Sequence, residues 1–159
     1  MTTSEIPKII SVDDHVVEPP DVWTSRLPKK YVDVGPRVKY EPRGEMRLVD
    51  GSWVETPGDG PDMAAWWYFE DKRSQMKLPT ACPGIPYDQI DPIGVTFEDI
   101  RTACYDPQAR LADMDMSHIE ASLCFPNYPR FCGQLLSEGK DKELGLLCVQ
   151  AYNDWMVEE

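Results

Sequence analysis

The stretch that decides the fold is a short apolar run that ends in charged residues, Lys8-Ile9-Ile10-Ser11-Val12-Asp13-Asp14-His15-Val16-Val17. Its β-branched residues are typical of a buried strand. Pro19-Pro20 ends the strand, because proline lacks the backbone N–H that a strand ladder needs. Side chains two positions apart in a strand point to the same face. Asp13 and His15 are therefore predicted to project together, with Asp14 on the opposite side.

Regular structure returns at Asp106-Pro107, where aspartate can cap a helix and proline suits its first turn. The spacing predicts a helix over Pro107–Met116, with Leu111 and Met114 on its apolar side, and then a strand over Ile119–Pro126. A last helix is expected between Asp141 and Val157, and its apolar stripe consists of Leu144, Leu147, Cys148, Ala151 and Trp155. Brief apolar strands that alternate with helices predict an α/β fold whose parallel sheet is buried on both faces.

The segment 27–105 is rich in proline and glycine and has no helical period, which favours a long insertion rather than a second domain. Met46–Val49 and Ser52–Glu55 flank Asp50-Gly51, a pair that favours a two-residue hairpin turn. Arg37–Tyr40 is a candidate third strand. Trp66–Phe69 could wall a substrate cavity, although packing of the insertion onto the main body is the more economical interpretation.

Composition excludes several classes of protein. The chain of 159 residues has 16 basic and 28 acidic residues and a net charge of −12, so it lacks the basic clusters that nucleic-acid binding requires. Its apolar runs are far shorter than the ~20 residues of a membrane span. Residues 1–7 lack the basic segment and apolar core of a secretory signal, so a cytoplasmic location is expected. Five cysteines without a CxxC pair are expected to be free thiols.

Candidate functional residues follow the two predicted main strands. The Asp13 carboxylate and the His15 imidazole could bind a divalent metal, although a polar strand end is the simpler alternative and two ligands are too few. Glu18 either faces the same pocket, as a candidate substrate-binding residue, or meets water. Arg130 either binds a carboxylate substrate or is exposed to solvent, whereas His118, in the turn before the second strand, is expected to be structural.

Three blocks of sequence occur in a recognisable order. The first is Ile10-Ser11-Val12-Asp13-Asp14-His15-Val16-Val17-Glu18-Pro19-Pro20-Asp21-Val22-Trp23, which is similar to a D-x-H-x-x-E-P pattern. The others are Asp106-Pro107-Gln108-Ala109-Arg110-Leu111-Ala112-Asp113-Met114-Asp115 and Ala151-Tyr152-Asn153-Asp154-Trp155. Together they resemble the amidohydrolase-related (amidohydrolase 2) family, which includes aminocarboxymuconate semialdehyde decarboxylase and dihydroxybenzoate decarboxylases.

The resemblance implies a metal-dependent TIM (β/α)8-barrel enzyme, a hydrolase or a decarboxylase, that acts on a small carboxylated or cyclic substrate. Asp13 and His15 would bind the metal, with Zn²⁺ as the first choice and Mn²⁺ or Fe²⁺ as alternatives. The family takes its remaining ligands from a later histidine and a later aspartate, and the chain offers no histidine besides His15 and His118. The catalytic acid or base is not assigned.

Length adds an expectation about completeness. A closed barrel takes about 250 residues, so the chain is expected to be the N-terminal part of the barrel and to be inactive alone. Its parts would be the first strand and turn (8–26), the insertion with its small hairpin (27–105), and the helix, second strand and last helix (106–159). The alternative is a non-catalytic interaction protein that docks onto a full-length relative. In both cases a partner, or a second copy in a homo-oligomer, is expected to cover the open sheet.

Overall fold

The computed structural model describes residues 7–159, apart from the side chain of Trp53. This part of the chain contains both strands and helices and is a mixed α/β structure. The elements in chain order are β1 (Ile9–Val16), β2 (Arg37–Pro42), β3 (Gly44–Val49), β4 (Ser52–Pro57), β5 (Met63–Phe69), β6 (Lys72–Gln75), α1 (Pro107–Met116), β7 (Ile119–Pro126), α2 (Gln134–Ser137) and α3 (Lys142–Glu158). Three small sheets have the strand orders β1-β7, β2-β5-β6 and β3-β4.

Strands β1 and β7 pair in parallel, as the sequence predicts. Their register runs from Ile9 opposite Ile119 to Val16 opposite Pro126, with irregularities between Ile9 and Ile10 and between Ser11 and Asp14. Because the strands are parallel, their carboxyl ends lie side by side. The segments that follow them therefore meet at one edge of the sheet.

The prediction that this sheet is buried on both faces is wrong for the described chain. Ile10 is 67% exposed and Val12 66% exposed. On β7, Ser122 bonds to Arg110 of α1, whereas its neighbour Leu123 points to the other face and is 56% exposed. Helix α1 contacts one face of the sheet, and nothing among residues 7–159 buries these apolar side chains on the other.

Helix α1 has the predicted bounds but not the predicted apolar face. The Asp106 carboxylate accepts a hydrogen bond from the Ala109 N–H at 2.7 Å, and Pro107 occupies the first turn. Leu111, however, is 54% exposed, and no residue of the helix is buried. The helix reaches the sheet through the guanidinium of Arg110, so its contact is polar.

Helix α3 confirms the predicted apolar stripe. Asp141 caps the helix by accepting a hydrogen bond from the Leu144 N–H at 3.0 Å. The buried side chains of the stripe are Leu144, Cys148, Ala151 and Trp155, and Leu147 is half-buried. This face packs into the main core.

The predicted hairpin in the segment 27–105 is confirmed as β3-β4. Asp50 and Gly51 have φ angles of 48° and 80°, the left-handed values that a tight two-residue turn requires. Arg37–Tyr40 is a strand but pairs with β5 rather than with the hairpin. Sequence reasoning missed β5 and β6, because the turn between them is formed by Glu70 at φ 50° without a glycine, and because β5 is continuously apolar and shows no alternation.

The core forms around Trp23, which is fully buried. Its indole N–H donates to the Cys148 carbonyl at 3.0 Å, and its ring contacts Trp67 edge-on with 5.5 Å between centroids. Trp67 and Phe69 belong to the same buried core as Trp23, which confirms that these aromatic residues pack the segment 27–105 onto the main body, whereas the buried Trp66 donates to the Pro42 carbonyl within that segment. Trp23 therefore links this segment to α3.

Two further sequence expectations concern cysteines and membranes. All five cysteines are free thiols, as predicted. Within residues 7–159, no helix combines the length and apolar character needed to cross a membrane. The expectation about a secretory signal falls mainly on residues 1–6, which lie outside the described residues.

We expect Trp23→Ala to lower the free energy of unfolding by about 3–5 kcal/mol, because it empties a large core site and removes the hydrogen bond that the indole donates to the Cys148 carbonyl. Urea denaturation measures the change. Tyr87→Ala is the matched control, since Tyr87 is 93% exposed and its loss is expected to cost less than about 0.5 kcal/mol. Equal losses in the two variants would contradict this description of the core.

Candidate functional site

Two neighbouring cavities lie along β1 and beyond the carboxyl ends of β1 and β7. The first, here the β1 cavity, has a volume of about 490 Å³ and is lined by Asp13, Asp14 and His15 together with parts of α1 and the segment 79–83. The second, here the cationic cleft, has a volume of about 500 Å³ and is lined by Glu18, Arg130 and the strand β6. Val17 and Thr80 belong to both walls. The structure thus separates the predicted metal ligands from the other two predicted site residues.

Asp13 and His15 are exposed and line the β1 cavity. The Nδ1 atom of His15 lies 3.2 Å from the backbone carbonyl of Pro126 at the end of β7. A proton on Nδ1 can donate to this carbonyl and leaves the lone pair of Nε2 free. This arrangement is typical of histidines that bind metals through one nitrogen and are oriented through the other.

Asp14 faces α1, as the predicted alternation requires. Its carboxylate accepts a hydrogen bond from the Ser122 hydroxyl and lies 3.2 Å from the Arg110 guanidinium. Burial alone would raise the pKa of Asp14, but hydrogen bonds from Ser122 and Ser11 and the charge of Arg110 hold this pKa below its usual value. Asp14 therefore fastens β1 to β7 and α1, whereas the Asp13 side chain has no hydrogen bond or ion pair with any residue from 7 to 159.

The donor types of Asp13 and His15 fit a zinc site, but their number does not complete one. Zinc accepts carboxylate oxygen and imidazole nitrogen and takes about four ligands, at least three of them from protein in most sites. Within residues 7–159, no group of three or more His, Cys, Asp or Glu side chains is placed to hold a metal. The described residues supply two donors, so a stable site needs further ligands from elsewhere.

Glu18 is fully buried and binds backbone rather than solvent. Its two carboxylate oxygens accept hydrogen bonds from the N–H groups of Asn127 at 2.9 Å and Tyr128 at 3.0 Å. Burial raises its pKa to about 7, although both hydrogen bonds favour the charged form. Glu18 neither meets water nor lines the β1 cavity, which were the two expectations. It holds the segment after β7 against the end of β1.

Arg130 lies at the mouth of the cationic cleft, in the segment after β7. Its φ angle is 65°, and its guanidinium pairs with the Glu138 carboxylate at 3.2 Å. Its side chain is 59% exposed, so the alternative of an exposed arginine describes this state of the chain. Contact with a carboxylate substrate stays a prediction.

His118 precedes β7, at the end of the sheet opposite to His15. Its φ angle is 55°, its ring is exposed, and its backbone carbonyl accepts a hydrogen bond from the Ile9 N–H at 2.8 Å. This role in the turn agrees with the structural role expected from the sequence.

Sequence reasoning missed the cations that β6 contributes to the cationic cleft. Lys72, Arg73 and Lys77 lie in or next to this edge strand and line the cavity beside Arg130. The pair Lys72-Arg73 directly follows Glu70-Asp71, so the four residues together have no net charge and the sequence shows no basic cluster there. Only the packing of β6 beside the end of β7 reveals the cluster.

Replacing Asp13 and Asp14 one at a time should distinguish the structural role of Asp14 from the exposed position of Asp13. Asp14→Asn is expected to lower the free energy of unfolding by about 1 kcal/mol, because Asp14 accepts charge-assisted hydrogen bonds, whereas Asp13→Asn should change it by less than about 0.5 kcal/mol. Since the pKa of Asp14 is lowered from 3.8, the wild-type advantage over Asp14→Asn should be present above this pH and be lost as the pH falls further. Denaturant titrations at several pH values measure both effects. A larger loss for Asp13→Asn would contradict the assignment.

Glu18→Gln should change how stability depends on pH. A carboxyl whose pKa rises from 4.5 unfolded to about 7 folded stabilises the protein below pH 4.5, and this contribution is lost as the pH rises towards 7. The free energy of unfolding of the wild type, relative to Glu18→Gln, is therefore expected to fall by about 3 kcal/mol over this range. Thermal or urea unfolding from pH 4 to 8 measures it. The exposed Glu98→Gln is the control, and parallel curves for the wild type and Glu18→Gln would refute the expectation.

Comparison with known proteins gives a fold relationship. No protein-family model and no curated protein sequence matches the chain. Among solved structures, it is similar to the crystal structure of an amidohydrolase from Mycobacterium avium subsp. paratuberculosis K-10, with a TM-score of 0.55 and 22% identity. The match covers 98% of this chain and 38% of that chain. The chain therefore has an amidohydrolase-like fold and spans well under half the length of that structure.

Proposed function

We propose that the chain is the N-terminal part of a TIM (β/α)8-barrel enzyme, a metal-dependent hydrolase or decarboxylase that acts on a small carboxylated or cyclic substrate. The observation that carries the proposal is the pair of Asp13 and His15 in the β1 cavity, with His15 oriented through Nδ1 towards Pro126. The amidohydrolase-like fold supports it. The exposed apolar side chains of β1 support it as well, because a closed barrel would cover both faces of this strand.

The proposed barrel accounts for the exposed apolar side chains of the β1-β7 sheet. Ile10, Val12 and Leu123 would face the interior or the added layers of a longer protein. The segment 27–105, with its hairpin and three-stranded sheet, would be an insertion after the first strand. The 38% share of the amidohydrolase structure is consistent with about two of eight βα units and such an insertion.

Asp13 and His15 would hold the metal through a carboxylate oxygen and Nε2, with Zn²⁺ as the first choice and Mn²⁺ or Fe²⁺ as alternatives. Such an ion supplies Lewis-acid activation of a substrate oxygen. The other residues of the site hold the metal-binding strand and its neighbouring segment in place. The Asp14–Arg110 pair holds β1 so that Asp13 stays free, and Glu18 holds the segment after β7 beside the cavity.

A second candidate is a non-catalytic interaction protein that docks onto a full-length relative through the open face of β1-β7. The exposed apolar residues of this face favour it as well. The two candidates differ in the use of Asp13 and His15, because docking alone does not require a carboxylate and an imidazole that bind metal.

The test measures metal content and activity in the 159-residue chain and in a chain extended by the residues encoded downstream. The extended chain is expected to retain about one equivalent of Zn²⁺ after dialysis, and Asp13→Asn or His15→Asn should remove most of it, because either change takes away a ligand. The 159-residue chain is expected to retain little metal and to show no hydrolysis or decarboxylation with Zn²⁺ or Mn²⁺.

Matched controls come from the same chain. Asp91→Asn changes an exposed aspartate outside both cavities, and His118→Asn changes the other histidine, which lies at the far end of the sheet. Both should leave the metal content unchanged. Unchanged metal in Asp13→Asn and His15→Asn would reject the ligand assignment, and robust activity of the 159-residue chain would reject the partial barrel.

A further inference from the structure

The cationic cleft contrasts with the charge of the whole chain. The protein carries a net charge of −12, yet four of the side chains that line this cleft are basic and one, the buried Glu18, is acidic. The basic residues come from two separate parts of the chain: Lys72, Arg73 and Lys77 from β6 and its continuation, and Arg130 from the segment after β7. A concave surface lined by one sign of charge raises the local concentration of ions of the opposite sign.

Two of these four cations already have carboxylate partners. Lys77 pairs with Glu55 at 2.8 Å, and Arg130 pairs with Glu138 at 3.2 Å. Lys72 and Arg73 form no ion pair among the residues that the structure describes. Arg73 instead lies over the buried Trp66 ring, with its guanidinium carbon 5.9 Å from the ring centroid. Lys72 and Arg73 are therefore the lining cations without a carboxylate partner in this part of the chain, and, as neighbours in the edge strand β6, they reach the cleft from the two faces of that strand.

The rest of the cleft offers neutral hydrogen-bonding groups and a rigid wall. Trp67 and Tyr128 stack with 4.5 Å between ring centroids and form its aromatic side. The Asn127 amide donates to the Thr80 carbonyl at 3.1 Å, which joins the two loops at the border with the β1 cavity. Both oxygens of Glu18 are occupied by backbone N–H groups, so this carboxyl does not compete for the free cations.

We infer that the cationic cleft binds an organic oxyanion, a carboxylate or phosphate group, through Lys72 and Arg73. The volume of about 500 Å³ suits a small molecule rather than a polymer. The shared wall at Val17 and Thr80 places this anion next to the β1 cavity, where it would anchor a substrate that extends towards Asp13 and His15. The inference that this anion is part of the substrate rests on the proposed function. The inference that the cleft binds an anion does not.

Isothermal titration calorimetry of the 159-residue chain in EDTA, at low ionic strength, tests the binding without any metal. Succinate and inorganic phosphate are the probes, and neutral succinamide is the matched control ligand. Succinate, phosphate or both are expected to bind, and succinamide is not. Weakening of the binding by added salt is also expected, because exposed charges are screened.

The double variant Lys72→Gln/Arg73→Gln is expected to weaken anion binding at least about tenfold, because it removes both free cations. Lys8→Gln/Lys29→Gln removes the same charge outside the cleft and should change affinity less than about twofold. Arg73→Lys keeps the charge but loses the planar guanidinium, so it should retain part of the affinity. Near-ultraviolet circular dichroism checks that each variant is folded.

The outcomes distinguish the sources of the anion. Succinate binding without phosphate binding supports a carboxylate ligand, phosphate alone supports a phosphate ester, and binding of both supports a general oxyanion site. Absence of binding, equal binding of succinamide, or equal weakening in both double variants would overturn the inference. The titration in EDTA does not depend on metal, so its result is independent of the metal measurements. If the anion binds but Asp13→Asn and His15→Asn leave the metal content of the extended chain unchanged, the proposed function is rejected and the anion site is not.

Discussion

The parallel pairing of β1 with β7 is the constraint on which the rest of the structure depends. It joins segments about 110 residues apart in sequence, and Asp13, His15, Glu18 and Arg130 lie in these strands or shortly after their carboxyl ends. Parallel strands cannot be joined by a tight turn, so the connection must leave the sheet and return. Here it includes the segment 27–105, whose Trp67 packs against Trp23.

The same pairing gives the consecutive residues Asp13, Asp14 and His15 different roles, one structural and two at the candidate metal site. Asp14 turns towards Arg110 and Ser122 and fastens the strands, whereas Asp13 and His15 remain exposed in the β1 cavity. Glu18 then uses both oxygens to hold the segment after β7. A buried carboxyl at this point sets the position of Asn127 and Tyr128 and so shapes the wall of the neighbouring cleft.

Local sequence signals predicted the elements that depend on local chemistry. Asp106-Pro107 marked the start of α1, Asp50-Gly51 marked the hairpin turn, and the stripe of α3 followed from its helical period. The sequence could not reveal the partners of distant segments. Lys72 and Arg73 carry no signal that brings them beside Arg130, and the full burial of Glu18 depends on backbone groups 109 and 110 residues away.

The open face of the β1-β7 sheet is the part of the molecule that most needs a partner. Exposed apolar residues and unpaired strand edges favour association with other chains. Size-exclusion chromatography with light scattering, over a range of concentrations, tests this directly. We predict that the 18.1-kDa chain, when alone, forms larger species as its concentration rises. A compact, stable monomer at every concentration would contradict the view that this sheet is part of a larger structure.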